Sequence, residues 1–158
     1  MTSILRSWMA GIFLAVTVLL SACSNEPEPI FYGEDQGAHC RMTIADDRFA
    51  TEIVSVNGRA IKFDSIECLM SYVQSGSIER SEIASVWVIG ADSPGTLILA
   101  ENAHFVKSQA IKSPMGGGLI AFASVDAAND LATEVDGIRL SWTMLQENFT
   151  SELTAIHR

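Results

Sequence analysis

The sequence predicts an α+β fold made of two loosely repeated units, each with the order strand, turn, strand, helix, strand. Three observations lead to this prediction. An Asn57-Gly58 pair separates two short apolar runs, which is typical of a β-hairpin. An apolar stripe with helical spacing follows that hairpin. The same order of patterns then returns in the second half of the chain.

The first unit begins with the hairpin. Residues 52–56 and 59–63 flank Asn57-Gly58, a pair that tolerates the positive φ angles of a type I′ turn. A two-residue turn would pair Val54 with Ile61. We therefore expect one half-buried face made of Val54, Val56, Ile61 and Phe63.

A helix is predicted directly after the hairpin. Asp64 offers an N-cap, and Glu67 three residues later offers the return bond of a capping box. Cys68 lies nearly opposite the apolar stripe, and Gly76 is a plausible end of the helix. The stripe has i, i+3, i+4, i+7 spacing and consists of Ile66, Leu69, Met70 and Val73. A buried strand over 83–89 and a loop over 90–95 complete the unit.

The second unit repeats this plan with little sequence identity. Residues 117–122 resemble residues 58–63, and Ser124 and Asp126 follow as Ser65 and Glu67 do in the first unit. Gly137 ends the predicted helix, whose stripe is Val125, Ala128, Ala132 and Val135. A short closing helix over 142–149 is expected to bury Trp142, Leu145 and Phe149. We expect the two units to pack face to face.

The N-terminus has the features of a secretory signal. Arg6 precedes an apolar stretch that is short for a membrane-spanning helix. Leu20-Ser21-Ala22-Cys23 resembles the lipobox of bacterial lipoproteins, which implies cleavage before Cys23 and a lipid on its sulfur. Residues 1–22 are thus the predicted signal peptide, and residues 23–37 a flexible tether. Residues 38–158 form the predicted domain, with units at about 38–90 and 91–158.

The predicted signal peptide and lipobox imply a lipid-anchored protein on the periplasmic side of the cell envelope. The residue after Cys23 is not Asp, which somewhat favours the outer membrane. Removing residues 1–22 takes away only Arg6, so the formal net charge goes from −9 to −10. An acidic surface of this kind repels nucleic acid, and no nucleic-acid partner is expected.

Two cysteines remain after Cys23. In an oxidising compartment Cys40 and Cys68 would by default form a disulfide, and the alternative is that at least one stays a thiolate ligand. If residues 40–42 are extended, Cys40 and Met42 project from one face. A thiolate beside a thioether is a soft pair that selects Cu(I). Met115 adds a third sulfur in a loop rich in proline and glycine, where a core role is not expected.

Three ordered segments together resemble the NosL family of copper-binding lipoproteins of nitrous oxide reductase assembly. They are residues 40–50, 62–72 and 113–122. The resemblance implies a duplicated αβ architecture similar to a domain of organomercurial lyase. It also implies delivery of Cu(I) to nitrous oxide reductase with help from a membrane ABC-transporter complex. Carried over by position, the metal ligands are Cys40, Met42 and Met115.

The chain departs from the family pattern where His39 stands beside Cys40. Many members have a Cys-x-x-Cys-like start to this motif, and His39 would supply a nitrogen ligand only if it turned to the same side. Adjacent residues on a strand face opposite ways, so an exposed His39 is expected.

Two other classes of function are open at the level of the sequence. One is a lipoprotein scaffold stapled by a Cys40–Cys68 disulfide, which would bind another protein. The other is a thiol-dependent lyase. The chain has no Ser/His/Asp or Cys/His arrangement and no clear carboxylate pair, so we expect that it is not an enzyme.

Overall fold

The computed structural model of the chain describes residues 25–147. It has seven strands and two α-helices within that range, followed by the start of a closing helix at residues 142–147. In chain order the elements are β1 (Thr51–Ser55), β2 (Ala60–Phe63), α1 (Ile66–Gln74), β3 (Ile83–Ile89), β4 (Leu97–Leu99), β5 (His104–Lys107), β6 (Leu119–Phe122), α2 (Val125–Glu134) and β7 (Ile138–Leu140). Short 3-10 turns precede β3 at Arg80–Glu82 and β5 at Ala100–Asn102.

The strands form two antiparallel sheets, and three strands of the first sheet are arranged like the three strands of the second. The first has the order β2-β1-β3-β4, and the second has the order β6-β5-β7. In each sheet the first strand of the unit is flanked by its hairpin partner and by the strand that follows the helix. The predicted α+β fold and its repeated strand, strand, helix, strand order are confirmed.

Helix α1 lies between the two sheets, and α2 covers the outer face of the second sheet. Side chains alternate across β6, so that Leu119 and Ala121 join the core around α1, whereas Ile120 and Phe122 pack with Ala128 of α2. The two units therefore pack face to face with α1, the helix of the first unit, between their sheets. The residues that line the two sides of α1 include Ile53, Phe63, Val88, Phe105, Leu119 and Leu140.

The first hairpin has a different register from the predicted one. Ile53 pairs with Ile61, and Val54 pairs with Ala60. The loop has three residues, because the Gly58 N–H donates to Ser55 and Gly58 then adopts a φ of 75°, the bulged form of a tight hairpin. The extra residue moves Val54 to the other face of the sheet and leaves Val56 exposed. The predicted face of Val54, Val56, Ile61 and Phe63 is thus wrong.

The N-cap of α1 is Ser65, one residue later than predicted. Its hydroxyl accepts the Cys68 N–H at 3.2 Å, as Ser124 accepts the Ala127 N–H at the start of α2. Serine in an extended backbone conformation is a favoured N-cap. Asp64 and Glu67, which the sequence assigned to a capping box, are consequently free to interact with other parts of the chain.

The predicted tether over 23–37 is wrong for residues 25–37, which lie against the outer face of the first sheet. The Glu28 N–H donates to the carboxylate of Glu52 at 2.8 Å. Lys62 donates to the Pro29 carbonyl at 2.7 Å and to the Asp35 carboxylate at 2.8 Å. The composition of residues 25–37, acidic with two prolines, is typical of a linker. The hydrogen bonds with Glu52 and Lys62 of the sheet nevertheless determine the path of this segment.

Several sequence predictions lie outside residues 25–147. They are the signal peptide over 1–22, the lipid on Cys23 and the burial of Phe149. Between residues 25 and 147, no helix has the length and apolar character needed to cross a bilayer. In the same range, Trp142 stacks at 5.9 Å from the Phe105 ring and Leu145 is buried, as predicted for the closing helix.

We predict that Glu52→Gln stabilises the protein at neutral pH. Glu52 is fully buried, and burial raises the pKa of its carboxyl above the ordinary value of 4.5. The native state therefore binds the proton more tightly than the unfolded chain. The stability that the Glu52 carboxyl contributes is fully present at a pH below its pKa in the unfolded chain. This contribution is lost as the pH rises through the higher pKa of the folded protein.

Urea unfolding at pH 7 and pH 4 measures this effect, with the exposed Glu134→Gln as the control. Glu52→Gln should gain stability over the natural chain at pH 7 and lose that advantage at pH 4. Equal stability of the two proteins at both values would contradict the assignment.

Candidate metal centre

Cys40 lies in a tight turn formed by residues 37–42. The Gly37 N–H donates to the Met42 carbonyl at 2.8 Å, and the Arg41 N–H donates to the Gly37 carbonyl at 3.0 Å. Arg41 adopts a positive φ of 62°. The expectation of an extended segment over 40–42 is therefore wrong, because the chain folds back on itself within these six residues.

The turn is fixed to the end of β2. The Ala38 N–H donates to the Lys62 carbonyl at 2.8 Å, which brings Cys40 beside the residues that lead into α1. Gly37 provides the space for the thiol, since a Cβ there would lie 3.0 Å from the Cys40 Sγ. The Cys40 thiol donates to Asp64 Oδ1 at 3.2 Å.

Cys40, Asp64 and Cys68 form the centre of the site. The two Sγ atoms and a carboxylate oxygen of Asp64 all lie within 4.8 Å of one another. Cys40 is half-buried, whereas Asp64 and Cys68 are buried. Both cysteines are free thiols, so the cluster presents two sulfurs and a carboxylate at the point where α1 begins.

The position of Cys68 follows from the helix. The sequence placed Cys68 opposite the apolar stripe of α1, and that side of the helix faces Cys40 and Asp64. Burial raises the pKa of the Cys68 thiol well above its ordinary value, and the neighbouring Asp64 carboxylate and Cys40 thiol raise it further. Low dielectric and a neighbouring carboxylate both disfavour a thiolate, so Cys68 is a protonated thiol in the metal-free protein at neutral pH.

The Met115 loop is attached to the same end of α1 by Glu67. Glu67 Oε1 accepts the Ser113 hydroxyl at 2.5 Å and the Leu119 N–H at 3.2 Å. The Ser113 hydroxyl oxygen in turn accepts the Gly118 N–H at 2.9 Å. Both ends of the loop are therefore held by one buried carboxylate, which stands next to Cys68 in the sequence.

The glycines of this loop allow the close approach. A Cβ on Gly117 would lie 2.6 Å from Glu67 Cγ, and a Cβ on Gly118 would lie 2.1 Å from the Ser108 carbonyl oxygen. A side chain at Gly117 would push the loop away from α1, and a side chain at Gly118 would push it away from the backbone of Ser108. The loop can thus present Met115 only because the residues after it lack side chains.

The predicted ligands differ in how the structure places them. Cys40 is at the centre of the cluster, and the Met42 N–H approaches its Sγ at 3.4 Å. The side chains of Met42 and Met115 are 47% and 44% exposed, so both thioethers are accessible from solvent. His39 is exposed and packs edge-on against Tyr72, as expected, and does not belong to the cluster.

Sequence reasoning missed Asp64 and Glu67 as residues of the site. Both were assigned to helix capping, because an acidic residue before a helix and another three residues later form a common start signal. Ser65 between them is at least as good an N-cap. Its presence was the available sign that the two carboxylates had other partners.

We predict that Glu67→Ala destabilises the protein by about 1–3 kcal/mol, because it leaves the buried Leu119 N–H and the Ser113 hydroxyl without an acceptor. Glu67→Gln is the matched control, since the amide oxygen can still accept both hydrogen bonds. Denaturant unfolding of the three proteins provides the measurement. A Glu67→Ala protein as stable as the Gln variant would show that the carboxylate does not hold the loop.

Comparison with known proteins places the chain in a family. The model of the NosL family matches residues 30–149, which is most of the chain and includes the Cys40 turn, α1 and the Met115 loop. No curated protein sequence matches significantly.

A solved structure has the same fold. The crystal structure described as the copper chaperone NosL from Shewanella denitrificans aligns with a TM-score of 0.65 and 16% sequence identity. The alignment covers 75% of this chain and 93% of that chain. The two-sheet architecture is therefore shared, and the family match over residues 30–149 shows that this chain belongs to the NosL family.

Proposed function

We propose that the protein binds Cu(I) through Cys40, Met42 and Met115 and acts as a copper chaperone. The observation that carries this proposal is the half-buried Cys40 thiol at the surface of a protein of the NosL family, with the exposed methionines close in sequence or in the adjoining loop. The matched structure from Shewanella denitrificans carries the description of a copper chaperone, which supports the same function here.

The donor set suits a carrier of copper. Thiolate and thioether sulfurs are soft ligands that select Cu(I) over cations that prefer oxygen. One thiolate balances the single charge of Cu(I), and two neutral thioethers add weak bonds that an acceptor can displace one at a time. Because a thiol must lose its proton to become a ligand, copper uptake should weaken as the pH falls.

The acceptor that we propose is nitrous oxide reductase, reached with help from a membrane ABC-transporter complex. This part of the proposal rests on the resemblance of the chain to the assembly lipoproteins of that enzyme. A lipid on Cys23 would hold the protein at the periplasmic side of the envelope, close to such membrane partners. With residues 25–37 packed on the first sheet, such an anchor would keep the domain close to the bilayer.

The other two classes of function have less support. NosL proteins are copper chaperones rather than enzymes, in agreement with the expectation that this chain is not an enzyme. A scaffold stapled by a Cys40–Cys68 disulfide does not fit the two free thiols. The organomercurial-lyase resemblance thus concerns architecture and not activity.

We predict that Cys40→Ser abolishes tight Cu(I) binding, whereas Met115→Ala weakens it without unfolding the protein. The serine hydroxyl is a hard and weak ligand for Cu(I), and loss of one thioether leaves the thiolate in place. Competition against a chromogenic Cu(I) chelator gives the affinities. Met144→Ala is the matched control, because Met144 is 46% exposed but lies on the closing helix. Unchanged affinity in Cys40→Ser would refute the proposal.

We also predict that Cys23→Ala prevents attachment of lipid to the protein. Without the cysteine sulfur there is no acceptor for the lipid. Metabolic labelling with a radioactive fatty acid, followed by immunoprecipitation, measures the attached lipid, with Cys40→Ser as the control cysteine variant. Equal labelling of Cys23→Ala and the control would contradict lipid attachment at this residue.

A further inference from the structure

Cys68 is a thiol that the ligand set of Cys40, Met42 and Met115 does not use. It is fully buried in the first turn of α1, and its Sγ lies within 4.8 Å of the Cys40 Sγ and of a carboxylate oxygen of Asp64. A small apolar side chain would fill a core position as well as a buried cysteine does. Packing alone therefore does not explain why a thiol and a carboxylate face this position.

Asp64 supplies a second and independent observation. Its side chain is only 3% exposed, and Oδ1 accepts the Cys40 thiol hydrogen. Oδ2 is buried and has no hydrogen-bond partner among residues 25–147. A buried carboxylate oxygen without a hydrogen-bond partner destabilises the folded protein. Here such an oxygen belongs to the residue that lies beside the two thiols. The cluster thus has the polar character of a site and not of ordinary core.

The spacing of the sulfurs fits a metal ion between them. Two metal–thiolate bonds of about 2.3 Å, the length found at zinc sites, separate their sulfurs by at most about 4.6 Å. The Sγ atoms of Cys40 and Cys68 lie within 4.8 Å of each other, so little movement is required. The soft sulfur pair favours Cu(I), whereas zinc usually takes four protein ligands in a closed structural site.

We propose that Cys68 is a second thiolate ligand, so that Cu(I) has an inner position between Cys40 and Cys68. This inference rests on the proposed copper-binding function and deepens it. The outer position is formed by Cys40 with the exposed thioethers of Met42 and Met115. Each thiol releases its proton to solvent as its metal–sulfur bond forms, so the step requires no oxidant or reductant.

The two positions share Cys40 and differ in accessibility. Cys40 is half-buried and can reach both sides, while Cys68 is fully enclosed by the core around α1. The outer position can receive and release copper by exchange of thioethers at the surface. The inner position shields the ion from small competing ligands between these events.

The first test is the Cu(I) affinity of Cys68→Ala, measured by competition against a chelator. Loss of a ligand should lower the affinity at least about tenfold, since even supporting residues around metal sites are worth that much. Met70→Leu is the matched control, because it removes another buried sulfur of α1 that packs in the core. It should bind Cu(I) as the natural chain does. Equal affinities of Cys68→Ala and the natural chain would overturn the inference.

A second test does not depend on how well Cys68→Ala folds. In a Met42→Leu, Met115→Leu double variant the thioethers are gone, and X-ray absorption at the copper edge counts the remaining sulfur ligands. Two sulfurs at thiolate distance are expected, and a single sulfur would show that Cys68 does not bind. Failure of the natural chain to bind Cu(I) at all would instead overturn the proposed function.

Discussion

The start of α1 is the constraint on which the rest of the site depends. The helix is packed between two sheets, so its N-terminus cannot move without disturbing both. Three side chains from this short segment face separate parts of the molecule. Asp64 contacts the Cys40 turn, Glu67 holds the Met115 loop, and Cys68 lies beneath Cys40. Segments that are far apart in the sequence therefore meet at one helix end.

This arrangement costs stability in the metal-free protein. Asp64 and Glu67 are buried carboxylates, and each has one oxygen without a hydrogen-bond partner within residues 25–147. Buried polar groups in cores are usually hydrogen-bonded, so each exception calls for an explanation. A cationic cargo would offset part of the cost, so copper binding and folding stability should be coupled in this protein.

The sequence was informative where a pattern repeats over many residues. Apolar stripes with helical spacing and short apolar runs beside turn residues predicted the order of elements in both units. Burial of one face of a helix or strand imposes such patterns on the sequence. The segments around Cys40 and Met115 were also identified, and they match the family. The family and the segments of the candidate site could thus be predicted without a structure.

Details that depend on single residues or on distant partners were not predictable in the same way. The hairpin register changed because Gly58 allows a three-residue loop as readily as a two-residue one. Asp64 and Glu67 obey the capping pattern, and only the tertiary fold shows that Ser65 caps the helix while they face Cys40 and Ser113. The segment over 25–37 has the composition of a linker, yet Glu52 and Lys62 on the sheet bind it.

Anomalous diffraction from crystals of the copper-loaded protein, recorded at the copper edge, tests the central claim most directly. We expect one dominant copper peak within bonding distance of the Cys40 Sγ, next to Cys68 or to the sulfurs of Met42 and Met115. A dominant peak on surface carboxylates or on His104, with none at Cys40, would contradict it.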